Sequence, residues 1–76
     1  MKLIIVTSPV GAFDVAVLND KEPVESRSLF LCDLIEYVAS LTSKYDIEIC
    51  RVLGQKNYTK EIIEELQEHF SFSISD

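Results

Sequence analysis

The sequence predicts an α/β fold: a mixed five-stranded sheet in the order 3-2-1-4-5, with the elements running βββαβαβ along the chain. Three observations point there. Alternating or unbroken apolar runs at Lys2–Thr7, Ala12–Asn19, Ile47–Leu53 and Phe70–Ser75 have the period of strands. Apolar residues near Ser28–Ser43 and Asn57–His69 recur every three or four positions, the period of helices. The link Ser8–Gly11 leaves no room for a helix after the first strand, which excludes a ferredoxin-like order.

The first strand contains Leu3, Ile4, Ile5 and Val6, an unbroken aliphatic run of the kind found in a central strand covered by helices on one or both faces. Ser8-Pro9-Val10-Gly11 supplies a turn, with proline presetting its second position. In the second strand Phe13, Val15 and Val17 share one face, opposite Asp14, Ala16 and Leu18. Asn19-Asp20-Lys21 makes another tight turn, because Asn and Asp tolerate positive φ. Pro23-Val24-Glu25-Ser26 is short, charged and begins with proline, as edge strands often do.

Ser28 is placed to cap the first helix, whose buried stripe is Leu31, Leu34, Ile35, Val38 and Leu41. Ile47–Leu53 is apolar enough to lie inside the sheet, and Gly54 ends it. Asn57 is placed to cap the second helix, with Tyr58, Ile62, Ile63, Leu66 and Phe70 on its inner face. Phe70, Phe72 and Ile74 then alternate with serines as a half-buried closing strand. Two strand–helix–strand crossovers, each right-handed, follow an antiparallel meander. The economical arrangement puts the first strand in the centre.

Composition narrows the class. The 76 residues form a single domain, and 47% of them are hydrophobic, enough for a core. A core of this size supplies only about 3–5 kcal/mol, so chains of this length often recruit a second subunit or partner. Cys32 and Cys50 sit in apolar segments without metal-ligand spacing and without a secretory leader; the expectation is two buried free thiols in a reducing cytoplasm. No apolar run approaches the ~20 residues that span a bilayer. The net charge of −6 disfavours direct contact with nucleic acid, which needs a basic stripe.

Much of that charge lies on the second helix, where Glu61, Glu64, Glu65 and Glu68 face Lys60 alone. These four are the candidate partner-binding residues, suited to a basic protein surface. Val24 in the edge strand, or Phe30 and Tyr37 on apolar surface left over, are candidates for a homodimer contact. A softer candidate is an anion or ligand site at Gly54, Lys56, Asn57 and Lys60, where backbone amides open a helix. A lone His69 at a helix end is a structural residue, and no serine or cysteine has a base partner for nucleophilic catalysis. No cofactor and no metal is expected.

The predicted strand order resembles the ribonuclease H-like and actin-like fold. More narrowly, Lys2–Asp20, KLIIVTSPVGAFDVAVLND, is similar in length and rhythm to the opening hairpin of the non-catalytic, dimer-forming partner protein of bacterial tRNA threonylcarbamoyladenosine synthesis. Gly54-Gln55-Lys56-Asn57-Tyr58-Thr59 resembles that family's strand-to-helix turn. The resemblance covers most of this chain and about a third of a typical member. It implies a dimer-forming protein that works through a partner. The chain is also similar to small bacteriophage proteins with a terse hairpin followed by a strand–Gly–Pro–Lys–helix turn, where this sequence has Gly54-Gln55-Lys56.

Nucleases of this superfamily hold two metal ions with carboxylates on the first strand, first helix and fourth strand, which neutralise the ions and orient a water. Here the first-strand position falls on Thr7, and the fourth strand ends Val52-Leu53-Gly54. Asp33 and Glu36 on the first helix cannot build such a site alone, and Asp14 belongs to the second strand. The expectation is therefore a non-enzymatic protein-binding module, phage or mobile-element encoded, acting as inhibitor or adaptor on a host protein. Small-ligand or nucleotide binding at the Gly54–Lys60 turn is the alternative.

Overall fold

The structure is a computed structural model and describes residues 1–8 and 11–75. Its elements are β1 (Lys2–Thr7), β2 (Ala12–Asn19), β3 (Glu22–Phe30), α1 (Leu31–Lys44), β4 (Ile49–Leu53), α2 (Lys56–His69) and β5 (Ser73–Ser75). They form one mixed sheet in the order β3-β2-β1-β4-β5, the predicted arrangement. β1 pairs antiparallel with β2 and parallel with β4; β5 runs parallel to β4.

The two turns of the meander follow from their residues. The Gly11 amide donates to the Ser8 carbonyl at 3.1 Å, and Gly11 sits at φ +83°, a conformation glycine takes without strain. The proline expected inside this turn, Pro9, lies outside the described residues, as does Val10. Asp20 adopts φ +60° in the second turn, as its short polar side chain allows.

The crossovers β3–α1–β4 and β4–α2–β5 step across the sheet in the same direction. Right-handed connections that step the same way place their helices on the same face. The buried side chains agree: Leu34, Val38 and Leu41 of α1 and Ile62 and Leu66 of α2 join Leu3, Ile5, Phe13, Val15, Val17, Leu29, Cys50 and Val52 in one cluster. Full burial of each large aliphatic chain in it stabilises the fold by about 1.5–3 kcal/mol. The described residues thus form two layers, and among them no helix lies on the opposite face of the sheet.

The boundaries differ from expectation where long-range pairing overrides local signals. Ser28 does not cap α1. β3 continues through it to Phe30, because Ser28 pairs with Asp14 on β2 and its hydroxyl donates to the Asp14 carboxylate. Phe30 is the N-cap residue and supplies no side-chain bond. Leu31, expected in the stripe, is therefore at the very start of the helix and is exposed. Asn57 is not a cap either; it lies inside α2, whose N-cap is Gln55. Tyr58 is turned out to solvent, and Thr59 takes the buried position instead, with its hydroxyl donating to the Lys56 carbonyl at 3.1 Å. β4 begins at Ile49 rather than Ile47, and β5 at Ser73 rather than Phe70, whose amide still closes α2 by donating to Leu66. Of the thiols, Cys50 is fully buried as expected, whereas Cys32 is exposed.

Candidate functional site

The four glutamates expected to bind a partner lie on α2, at spacings of three, one and three residues, so they run along one side over about 10 Å of helix. All four are exposed. Glu65 approaches His69 at 3.7 Å, an ion pair only when the imidazole is protonated. Among the described residues Glu61, Glu64 and Glu68 make no ion pair. The surface is thus an open row of carboxylates anchored by Thr59, Ile62 and Leu66 on the buried side of the same helix.

Sequence reasoning missed one feature of this row. Glu65, Glu68 and His69 bring their ligand atoms within 4.8 Å of one another. Their spacing of three and then one residue on a helix was the available signal. All three are exposed on a single turn, and no residue from another element among those described joins them.

The ligand candidates around the turn after β4 are divided by the structure. Gly54 has φ +138°, and a Cβ there would lie 1.8 Å from Thr7 Oγ1 and 3.0 Å from Thr7 Cβ. Only glycine permits this contact between the ends of β1 and β4. The Gln55 carbonyl then accepts from the amides of Tyr58 and Thr59 at 3.0 Å, opening the helix. Lys56 and Lys60 come together along an open groove of about 650 Å³ between α2 and β5, beside Thr59, Ile63 and Gln67. Gly54 and Asn57 do not line it.

The ends of β1 and β4, weighed above for a metal site, carry no carboxylate among the described residues. Thr7 packs against the Gly54 backbone there, and β4 ends in half-buried Leu53. Asp33 and Glu36 lie exposed on α1, along a separate groove beside β3 with Arg27 and Tyr37. Asp14 faces away from both helices and accepts from Ser28. Among the described residues, the carboxylates do not converge at these strand ends.

Of the residues considered for a dimer contact, Val24 and Phe30 are exposed. Tyr37 is engaged within the chain. Its hydroxyl donates to Glu25 Oε2 at 3.0 Å, and the Arg27 guanidinium lies 5.5 Å from the centre of its ring. Tyr45 and Lys44 also reach Glu25, at 3.4 and 3.5 Å. The Tyr37 hydrogen bond, helped by the Lys44 charge against some desolvation, holds the Glu25 carboxyl below its usual range. Desolvation first, and Glu25 second, push the Tyr37 hydroxyl up to about 12. Edge strand β3 is thereby tied to α1. Burial alone raises the Cys50 thiol to about 12.

No helix among the described residues is long and apolar enough to cross a membrane. Compared with known proteins, the chain matches no protein-family profile, no curated protein and no solved structure.

Proposed function

We propose that the chain is a small non-enzymatic protein-binding module that self-associates and presents the carboxylates of α2 to a basic patch on another protein, as an inhibitor or adaptor. One observation carries the reading. Four exposed glutamates lie along one helix, and three of them make no ion pair among the described residues. Unpaired surface charges of one sign steer a complementary partner and set its register, with an effect that salt screens over about 8 Å at physiological ionic strength.

The test is affinity capture from the cells that make the protein, with the native chain and the fourfold variant Glu61→Gln, Glu64→Gln, Glu65→Gln, Glu68→Gln as parallel baits. The expected result is a protein with a basic surface held by the native bait, released by moderate salt and lost from the variant. Equal capture by both baits, or none by either, overturns the reading. A second reading places a phosphate or nucleotide beside Lys56 and Lys60, favoured by their shared groove. It predicts thermal stabilisation by such ligands that Lys56→Glu abolishes; no shift across a nucleotide panel rejects it.

A further inference from the structure

β3 is one edge of the sheet, and the direction of its backbone groups follows from the hydrogen bonds of its neighbours. The Ser8 amide donates to the Ala12 carbonyl at 3.1 Å, which sets the backbone groups of Ala12, Asp14 and Ala16 toward β1. Those of Phe13, Val15 and Val17 therefore face β3, where they meet Leu29, Arg27 and Glu25. Between these, Ser26 and Ser28 aim both amide and carbonyl away from the sheet, and so does the amide of Phe30. Pro23 and the register shift at Val17/Leu18 interrupt the start of this edge, but residues 26–30 are regular. The opposite edge offers far less. β5 has three residues, and the Ser73 amide is taken up by the Glu48 carbonyl, so within β5 Ile74 alone faces outward.

A groove of about 470 Å³ runs beside the β3 edge, between that strand and α1. Arg27 and Leu29 line its strand side, and Asp33, Glu36 and Ser40 its helix side. Both carboxylates are exposed, and among the described residues neither forms an ion pair. Arg27, the one cation of the lining, is already held over the Tyr37 ring at 5.5 Å from its centre.

Edge and groove together define what fits. Outward amides and carbonyls on alternate residues are matched by a second extended backbone, which gives affinity, while side-chain pockets beside it give specificity. Neighbours across strands project to the same face, so residues of an added strand opposite Arg27 and Leu29 enter the groove. A lysine or arginine opposite Leu29 meets Asp33 and Glu36 there. On the other face the small side chains of Ser26 and Ser28 leave room for the residues opposite them. A second copy of the chain is a poor occupant. Edge to edge, two β3 strands bring the α1 carboxylates of both copies to one seam, with −6 on each chain.

We infer that β3 is a strand-addition site for an extended segment of another protein, one with basic side chains at alternate positions. The site is separate from the carboxylate row of α2 and does not rest on it. The probe is the peptide Thr-Lys-Val-Lys-Val-Lys-Val-Lys-Thr, titrated into the isotope-labelled chain and followed by amide spectra. Two control peptides carry glutamate for every lysine, or proline for the central lysine. The expected result is movement of Ser26, Ser28, Phe30, Asp33 and Glu36 together, with the amides of Ser26 and Ser28 newly protected from exchange. The proline peptide leaves these signals in place, since it breaks the added ladder. Asp33→Lys with Glu36→Lys weakens the lysine peptide roughly tenfold, the scale of two exposed ion pairs, and strengthens the glutamate one. Replacing Glu61, Glu64, Glu65 and Glu68 by Gln leaves the β3 footprint unchanged. No movement at Ser26, Ser28 and Phe30 up to millimolar peptide overturns the inference. So does a footprint confined to α2, or equal binding by either control peptide.

Discussion

Replacing Gly54 by alanine probes the close approach between the end of β1 and the turn after β4. An added Cβ meets Thr7 Oγ1 at 1.8 Å, Thr7 Cβ at 3.0 Å and the Thr7 carbonyl oxygen at 3.3 Å. Rotating the threonine relieves only the first of these. The backbone adds its own penalty, because φ +138° is strained for any residue with a Cβ, by about 1–3 kcal/mol. Overpacking adds a further 1–3 kcal/mol. Gly54→Ala is therefore expected to destabilise the chain by about 2–6 kcal/mol, a large part of the total for a domain this small. At roughly 4–8 °C per kcal/mol, the midpoint falls by upwards of about 10 °C. Urea unfolding followed by circular dichroism measures it, in the native chain and in a Thr7→Ala chain. Removing the threonine hydroxyl relieves the closest contact, so the two substitutions together are less damaging than the sum of each alone, by about 1–2 kcal/mol. A loss below about 0.5 kcal/mol, or strict additivity, refutes the close approach.

Other outcomes follow from the same structure. Exposed Cys32 reacts with a thiol reagent at once, whereas Cys50, fully buried with its thiol raised from 9 to about 12, has roughly a thousandfold less thiolate and reacts only on opening; two equally fast thiols in the native chain contradict this. Glu25 ionises below its usual 4.5, so its share of stability is present above that value and is lost as pH falls through the lowered one; Tyr37→Phe, by removing the first cause of the shift, flattens the acid limb of a melting-temperature profile, and superimposed profiles refute the link. Tyr37 and Cys50 ionise above their usual values, so their contributions are present below pH 10 and pH 9 respectively and are lost as pH rises toward about 12; a melting point flat across that range would show that neither group is buried as described. Leu66→Ala, fully buried on the inner side of α2, is expected to lose about 2–5 kcal/mol in the same urea assay, and a change below 1 kcal/mol would displace that helix from the core.

How much of this was legible in the sequence depends on the range of the interaction that decides each element. β1 and β2 match their apolar patterns to the residue, because alternation and the turns between them are local. Strand order followed from link length and crossover handedness, which need no side-chain detail. The start of α1 was not legible: Ser28 has the character of a cap, and only its pairing with Asp14, fourteen residues earlier, keeps it in a strand. The same is true of the bonds joining Glu25 to Tyr37, Tyr45 and Lys44, which exist because β3 turns Glu25 toward α1. Tyr37 therefore looked like spare apolar surface. The glutamate row was legible because helical spacing alone exposes it, whereas the division of Lys56 and Lys60 from Gly54 and Asn57 depends on where β5 closes the sheet.

The central claim is that α2 meets a basic partner through its carboxylates. Its most direct test is a titration of the isotope-labelled chain with the captured partner, followed by amide spectra. The account predicts that the signals of Glu61, Glu64, Glu65 and Glu68 move first and return as salt is raised. A footprint confined to the Gly54–Lys60 turn, or one indifferent to salt, would contradict it.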